Sequence, residues 1–342
     1  MRIRERFEEW EKNNLSPYAT LSTSTAGRAE SEDPCPVRTE FQIDRDRILH
    51  SLGFRLLKHK TQVFLSTSGE QFRTRLTHTL EVASIARYIA QGLDLNRDLV
   101  EAIALGHDLG HTPFGHIGEV VLNELTSFRF KHSEQGVRVV TLIENSGKGL
   151  NLTREVIDGI SEHSKGTISM AVLHDSDGGA KLNRASSIEG EVVQFSDWFA
   201  YINHDIDDAF NMGIIKPDDL PGKASRVLGY NFRWRLVTML QDVIEASRKK
   251  NHIYMSSEVL EATDELRQFL YDRVYCMVEI AKKQDYAKEL LTYLFEYFKD
   301  NYDLVTREMP FLDNEDPERG ACDYVAFLTD KKAQESYSAV KN

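Results

Sequence analysis

An all-α fold is predicted by three features of the sequence. No run of residues alternates apolar and polar as a half-buried strand does. Apolar residues recur instead at spacings of three and four, and several of these stretches open on recognisable helix caps. Residues 1–43 read as an N-terminal arm, in which Ser22 to Pro36 is rich in Ser, Thr, Gly, Glu and Pro and reads as loop. Residues 44–212 form the expected catalytic core. Within it, a short strand pair over 62–65 and 71–73 is the one departure from helix considered. His78, Val82, Ile85 and Ile89 share one helix face. Asn96 caps the next helix, where Val100, Ile103 and His107 share a face, and Gly110 and Pro113 stop it. Another helix runs from about Gly115 to Thr126. Asp175 to Ser187 reads as an exposed loop. Ser186 and Glu189 have capping-box spacing and open a helix striped by Ile188, Val192, Phe195, Phe199, Ile202 and Ile206. Asp197 lies off that stripe, on the flank with Val193, Tyr201 and His204. Residues 213–342 are expected to be a C-terminal helical region packed on the core, with helices near Ser225–Lys250, Ser256–Lys282 and Asp285–Lys299 and a polar break from Asp313 to Gly320.

The bulk numbers exclude several classes. With 54 acidic against 42 basic residues, the 342-residue chain carries a net charge of −12. A protein that grips duplex nucleic acid through its phosphates shows the opposite balance. An anionic small molecule stays within reach, because Arg45, Arg47, Arg55, Lys58, Lys60, Arg73 and Arg75 crowd one stretch. Cys35, Cys276 and Cys322 are sparse and form no C-x-x-C pair, which argues against a thiolate metal site and fits a reducing compartment. The charged N-terminus lacks a secretory core, and no apolar run is long enough to span a membrane. A cytoplasmic location, with no membrane partner, is therefore expected.

The chemistry concentrates in Thr77-His78-Thr79 and in the run from His107 to Glu119, which together hold four of the eleven histidines. His78 and His107 each end an apolar face and point inward. Asp108 adjoins one of them, and Asp197 stands on the flank of another inward helix. Burying two carboxylates without a cation is costly, and mixed imidazole and carboxylate donors suit one first-row divalent ion or Mg²⁺. His116 and Glu119 lie one turn apart at a helix start and face each other, as a carboxylate that orients an imidazole for proton transfer does. His111 falls in the loop beside the metal donors, where it could touch phosphate or act as an acid. Arg75 lies one turn before His78 and is placed to meet an anion. The dense run from Phe128 to Gln135 receives no role from the sequence, and His50, His59, His163, His174 and His252 read as surface or supporting residues.

The ordered set His78, His107-Asp108 and Asp197 resembles the H…HD…D signature of HD-domain phosphohydrolases. Longer strings narrow the resemblance: Asp44 to His50, Lys58 to Phe64, Arg75 to Val82, His107 to Glu119, His132-Ser133-Glu134-Gln135 and Tyr201 to Asp208. Together they resemble the bacterial deoxyguanosine triphosphate triphosphohydrolase (dGTPase-like) family over about residues 1–215. The resemblance implies an HD-domain helical fold, one divalent metal such as Mn²⁺ or Mg²⁺, and hydrolysis of dGTP or several dNTPs to deoxynucleoside and inorganic triphosphate. It implies His78, His107, Asp108 and Asp197 as ligands and His116 with Glu119 as the proton-transfer pair. His111, Arg75, Tyr201 and Asp205 would lie near the phosphates and Gln62 near the sugar. Arg47, Arg55 and Lys60 would contact phosphate or an effector. A dNTP effector and a homo-oligomer are further expectations, and single-stranded nucleic acid is a partner the net charge does not favour. Three departures bear on base preference and effector binding: Leu56 where a second Arg is usual, Trp198 after the ligand Asp197, and Phe327-Leu328 in place of a Gly-Met pair. The alternatives are another HD-domain nucleotidase or phosphodiesterase, or a nucleotide-binding regulator without turnover.

Overall fold

Helix follows helix through the computed structural model, which describes residues 2–62, 73–164, 184–275 and 278–341. Among the described residues there is no strand, only two isolated antiparallel bridges, Arg28–Thr153 and Thr61–Thr74. The expected strand pair falls on residues 63–72 for most of its length and so lies outside the described residues, as do His174 and most of the expected loop before Ser187.

The arm is more regular than its composition suggests. It begins with α1 (Ile3–Asn14), and buried carboxylates pin its remainder to the core. Glu11 accepts from the Ser22 backbone N–H and hydroxyl, each at 2.7 Å. Glu189 accepts from the Thr20 backbone N–H at 3.0 Å and its hydroxyl at 2.9 Å. Arg28 pairs with Asp44 and Glu40. Glu189 therefore faces the arm, and the cap of its own helix is Ser187, whose hydroxyl accepts from the Gly190 N–H at 3.1 Å. The expected Ser186–Glu189 box does not form: Ser187 alone caps the helix, and the buried donors of the arm claim the Glu189 carboxylate.

The core comprises α2 (Glu40–His50), α3 (Leu52–Leu56), α4 (Arg75–Gly92), α5 (Arg97–Gly106), α6 (His116–Leu125), α7 (His132–Arg138), α8 (Arg154–Glu162) and α9 (Ile188–Asn211). Asn96 caps α5 as expected, accepting from the N–H groups of Asp98 and Leu99. The stripes of α4, α5 and α9 meet: Val82, Ile85, Ile89, Val100, Ile103, Val192, Phe199 and Ile202 share one buried cluster. That packing sets the start of α4 and the end of α5 against the middle of α9, and the chemistry sits at that junction.

The C-terminal third is α10 (Gly222–Leu228), α11 (Phe232–Ser247), α12 (Ser257–Leu270), α13 (Val278–Asp300), α14 (Tyr302–Glu308), α15 (Pro317–Phe327) and α16 (Asp330–Lys341). Three boundaries differ from expectation, one of them the polar break expected from Asp313 to Gly320, which turns helical at Pro317 because Asp316 caps α15 there. The helix expected over Ser225–Lys250 is broken at Gly229, whose φ of +99° a side chain rarely adopts. No break occurs between Lys282 and Asp285, because α13 runs through both. A second buried cluster joins Leu290, Leu294, Phe295 and Val325 to Phe114, Val121, Leu122 and Phe130. The C-terminal helices thus pack against α6, the helix that carries His116 and Glu119.

Candidate active site

Four donor side chains converge where α4, α5 and α9 meet. His78 Nε2 lies 3.0 Å from Asp197 Oδ1 and 3.8 Å from Asp108 Oδ2. His107 Nε2 lies 3.4 Å from Asp108 Oδ1 and 3.9 Å from Asp197 Oδ1. Donors held about 2.1 Å from a small divalent ion stand about 3.0 Å apart when adjacent and about 4.2 Å when opposite. His78, His107 and Asp108 each offer a ligand atom within 4.8 Å of the others, as one cation requires, and Asp197 Oδ1 approaches both imidazoles. The orientation of His107 fits as well. Its Nδ1 donates to the Ala104 carbonyl at 2.6 Å, which leaves a lone pair on Nε2. That Nε2 is buried and has no hydrogen-bond partner among the described residues. His78, His107 and Asp108 are buried to within 3% exposure, whereas the Asp197 side chain is 27% exposed and marks the accessible side.

Arg75 is fully buried and donates to Asp108 Oδ2 at 2.7 Å. Burial opposes ionisation of Asp108, yet the neighbouring His107 imidazole and Arg75 guanidinium hold its carboxyl well below the usual range. The Arg75 Nε has no partner among the described residues, so the guanidinium keeps a spare donor.

A chain of histidines adjoins these donors. His111 Nε2 lies 3.3 Å from Asp108 Oδ1, and its ring stacks on His132 with centroids 3.9 Å apart. His132 Nδ1 meets Glu119 Oε1 at 2.7 Å, and the same oxygen accepts the His132 backbone N–H at 2.9 Å. His132 Nε2 meets His163 Nε2 at 3.0 Å, and His163 Nδ1 meets the Ile160 carbonyl at 2.7 Å. His116 Nδ1 stands 3.6 Å from Glu119 Oε2, with its side chain 68% exposed. The expected His116–Glu119 pair is thus a loose approach, and the tight partner of Glu119 is His132. Burial opposes ionisation of Glu119, but His132 and His116 hold its carboxyl far below the usual range. Burial and the neighbouring His132 and His107 push His163 down to about 3.

His132 and His163 are the residues the sequence reading left without a role. His163 is not a surface residue; it is 3% exposed and touches His107 edge-on, with centroids 5.1 Å apart. A signal for it exists in the sequence: Val156, Ile160 and His163 share a helix face as Val100, Ile103 and His107 do.

The remaining expected residues divide. Tyr201 and Asp205 follow Asp197 on α9, and Asp205 is buried and accepts from the Tyr275 hydroxyl. Burial, offset in part by that bond, pushes Asp205 up to about 7. Gln62 is buried, and its carbonyl lies 3.5 Å from Arg75 Nη2. Lys60 is buried behind the site, donating to the carbonyls of His111 and Ala326, and burial pushes it down to about 7. The hydrogen bonds of Arg47 and Arg55 do not reach the cluster. Arg47 donates to the carbonyls of Leu150 and Asn151 and pairs with Glu32, and Arg55 donates to the His50 carbonyl. Leu56 lies on the same short helix, α3, and Trp198 is buried in the core.

Comparison with known proteins follows the same lines. The HD domain family profile matches residues 75–202, and the phosphohydrolase-associated domain profile matches residues 253–339. A deoxyguanosinetriphosphate triphosphohydrolase-like protein of Caldanaerobacter subterraneus subsp. tengcongensis is 51% identical over 341 residues, covering 99% of this chain and 96% of its own. Proteins of the same description from Desulfatibacillum aliphaticivorans and Clostridium perfringens are 46% and 42% identical, each covering 99% of this chain and 98% of its own.

Proposed function

Because the chain belongs to the deoxyguanosinetriphosphate triphosphohydrolase-like family of HD-domain hydrolases, we propose that it hydrolyses deoxynucleoside triphosphates to deoxynucleoside and inorganic triphosphate. The observation that carries the reading is the convergence of His78, His107, Asp108 and Asp197 on one cation-sized space, with one side accessible and a guanidinium at its wall. Those four residues would hold a divalent ion, which supplies Lewis-acid polarisation of a phosphoryl oxygen and lowers the pKa of a water.

The chain's own groups then have defined tasks. Arg75 fixes Asp108 and offers its spare Nε to an anionic oxygen. Water adds to the α-phosphorus, the bond to O5′ breaks, and the proton lost by water ends on O5′ of the leaving deoxynucleoside. Exposed His116, beside Glu119, is the group that exchanges this proton, and the Glu119 carboxylate stabilises its imidazolium form. Tyr201 and Asp205, which follow Asp197 on α9, would lie near the phosphates and Gln62 near the sugar.

The test is product analysis of each dNTP with Mg²⁺ or Mn²⁺, singly and in pairs. Inorganic triphosphate and deoxynucleoside are expected, and stimulation of one dNTP by another would identify an effector. Orthophosphate as the product, with equal rates on dNTP and dNMP, would refute the reading in favour of a nucleotidase.

A further inference from the structure

Two histidines, His107 and His163, end neighbouring helices in the same way. Each sends Nδ1 to the backbone carbonyl three residues earlier, Ala104 at 2.6 Å and Ile160 at 2.7 Å. A carbonyl only accepts, so each Nδ1 carries a proton, and in the neutral ring Nε2 presents a lone pair. In His107 that lone pair faces the carboxylates. In His163 it faces His132 Nε2 at 3.0 Å.

This fixes the hydrogens along the whole chain. With the Nδ1 atoms of His132 and His163 both donating to oxygen acceptors, one of the two rings must carry a second proton. It belongs on His132, whose other edge meets a carboxylate rather than a carbonyl; His132 Nε2 therefore donates to His163 Nε2. The other edge of His132 is then turned to Glu119, with Nδ1 2.7 Å from Oε1. The Glu119 carboxylate consequently has one oxygen committed to His132 and the other turned toward His116 Nδ1 at 3.6 Å. We propose that His163 is a positioning residue for the hydrolytic reaction: its Nε2 lone pair locks His132 as an Nε2–H donor, which orients Glu119 toward His116. This rests on the acid–base role assigned above to Glu119 and His116. The same bonding leaves His132 no lone pair for a cation, so the grouping of Asp108, His111 and His132 within 4.8 Å is not a second metal site.

The arrangement explains why an imidazole occupies position 163. An apolar residue there would strand the His132 N–H in a buried place, at the cost of a lost hydrogen bond. A glutamine places an acceptor oxygen at nearly the distance of Nε2. His163→Phe and His163→Gln therefore separate shape from hydrogen bonding.

The experiment uses the full chain at one fixed pH with ¹⁵N-labelled histidine and Mg²⁺ as the ion. In the wild type, His132 is expected to show a protonated Nε2 with a slowly exchanging N–H, and His163 an unprotonated Nε2. His163→Phe should lose the slow His132 resonance and lower kcat roughly 10- to 100-fold, with KM and metal content unchanged, the usual cost of removing an outer partner of an oriented imidazole. His163→Gln should restore the resonance and most of kcat. An unprotonated His132 Nε2 in the wild type would overturn the proposal. So would unchanged kcat in folded His163→Phe while Glu119→Gln is impaired. Unchanged kcat in Glu119→Gln is a separate outcome, which would overturn the acid–base reading and the proposal that rests on it. If His163→Phe fails to fold, the wild-type spectrum and the His163→Gln rate still decide.

Discussion

Gly110→Ala is expected to damage catalysis through a backbone collision. A Cβ built at Gly110 would lie 2.1 Å from the Gly136 nitrogen and 2.1 Å from the His132 carbonyl oxygen, both on the backbone of α7. Ordinary contact begins near 3.4 Å, so α7 must retreat by about 1.3 Å. Neither neighbour is a flexible side-chain end that could swing aside. Overpacking of this kind costs about 1–3 kcal/mol. The retreat also carries His132 away from Glu119, and a shift of about 1 Å at a catalytic constellation lowers rate on the order of 100-fold. The assay pairs kcat for one dNTP with a denaturant-unfolding midpoint, for the wild type, Gly110→Ala and Gly222→Ala. Gly222 has no neighbour closer than the Arg226 side chain at 4.0 Å and should be near neutral. Wild-type kcat and midpoint in Gly110→Ala would refute the reasoning.

Further outcomes follow from the same geometry. Asp197→Ala and His107→Ala should each lose bound metal and turnover together, measured by metal stoichiometry and product release, since each removes one of four donors. Glu119→Gln should keep metal and fold while kcat falls on the order of 10²–10⁴-fold; near wild-type turnover would reduce Glu119 to a structural acceptor. Asp323→Ala should destabilise the chain by roughly 3–5 kcal/mol in urea unfolding, because the carboxylate is fully buried and receives Arg138 and Gln135, each at 3.0 Å. Asp330→Ala should lower kcat while metal content holds, because Asp330 accepts the Phe114 N–H at 2.9 Å and supports the turn before His116.

The parts of the site that were legible in the sequence are those where one helix face carries both the apolar stripe and the functional group. His78 ends the stripe of α4 and His107 that of α5, so periodicity alone turned both inward. Asp197 was harder, because it stands off its stripe, and its helix was the guide. His132 and Glu119 gave no pairing signal at thirteen residues apart; the Gly110–Gly136 approach brings α7 against the metal loop and creates the contact. His163 had the same apolar spacing as His107 but no adjacent carboxylate to draw notice. Arg47 and Arg55, for which the resemblance implies phosphate or effector contacts, have their hydrogen bonds elsewhere: these side chains hold backbone carbonyls, and Arg47 also meets the acid Glu32 of the arm.

The C-terminal region bears on the site through one corner rather than through its whole surface. In the last turn of α15, the Ala326 carbonyl accepts from Lys60 Nζ, which also holds the His111 carbonyl. Four residues on, Asp330 accepts from the Thr61 N–H at 3.0 Å with one oxygen and from the Phe114 N–H at 2.9 Å with the other. These contacts bind the segment before residue 63 and the loop from His111 to Gly115 to the same point. The need for such support is visible in the backbone. Phe114 and Gly115 both have positive φ, at +61° and +62°, and a bulky residue holds that conformation only where its surroundings enforce it. The turn they make starts α6 and so sets the direction of His116 and Glu119. Lys60 is suited to this work more than to phosphate binding: both its acceptors are carbonyls, and burial has brought its ammonium down to about 7. The cation-sized space and the histidine chain are therefore assembled from opposite sides. Packing of α4, α5 and α9 sets the first, and the Ala326–Asp330 corner braces the turn that sets the second.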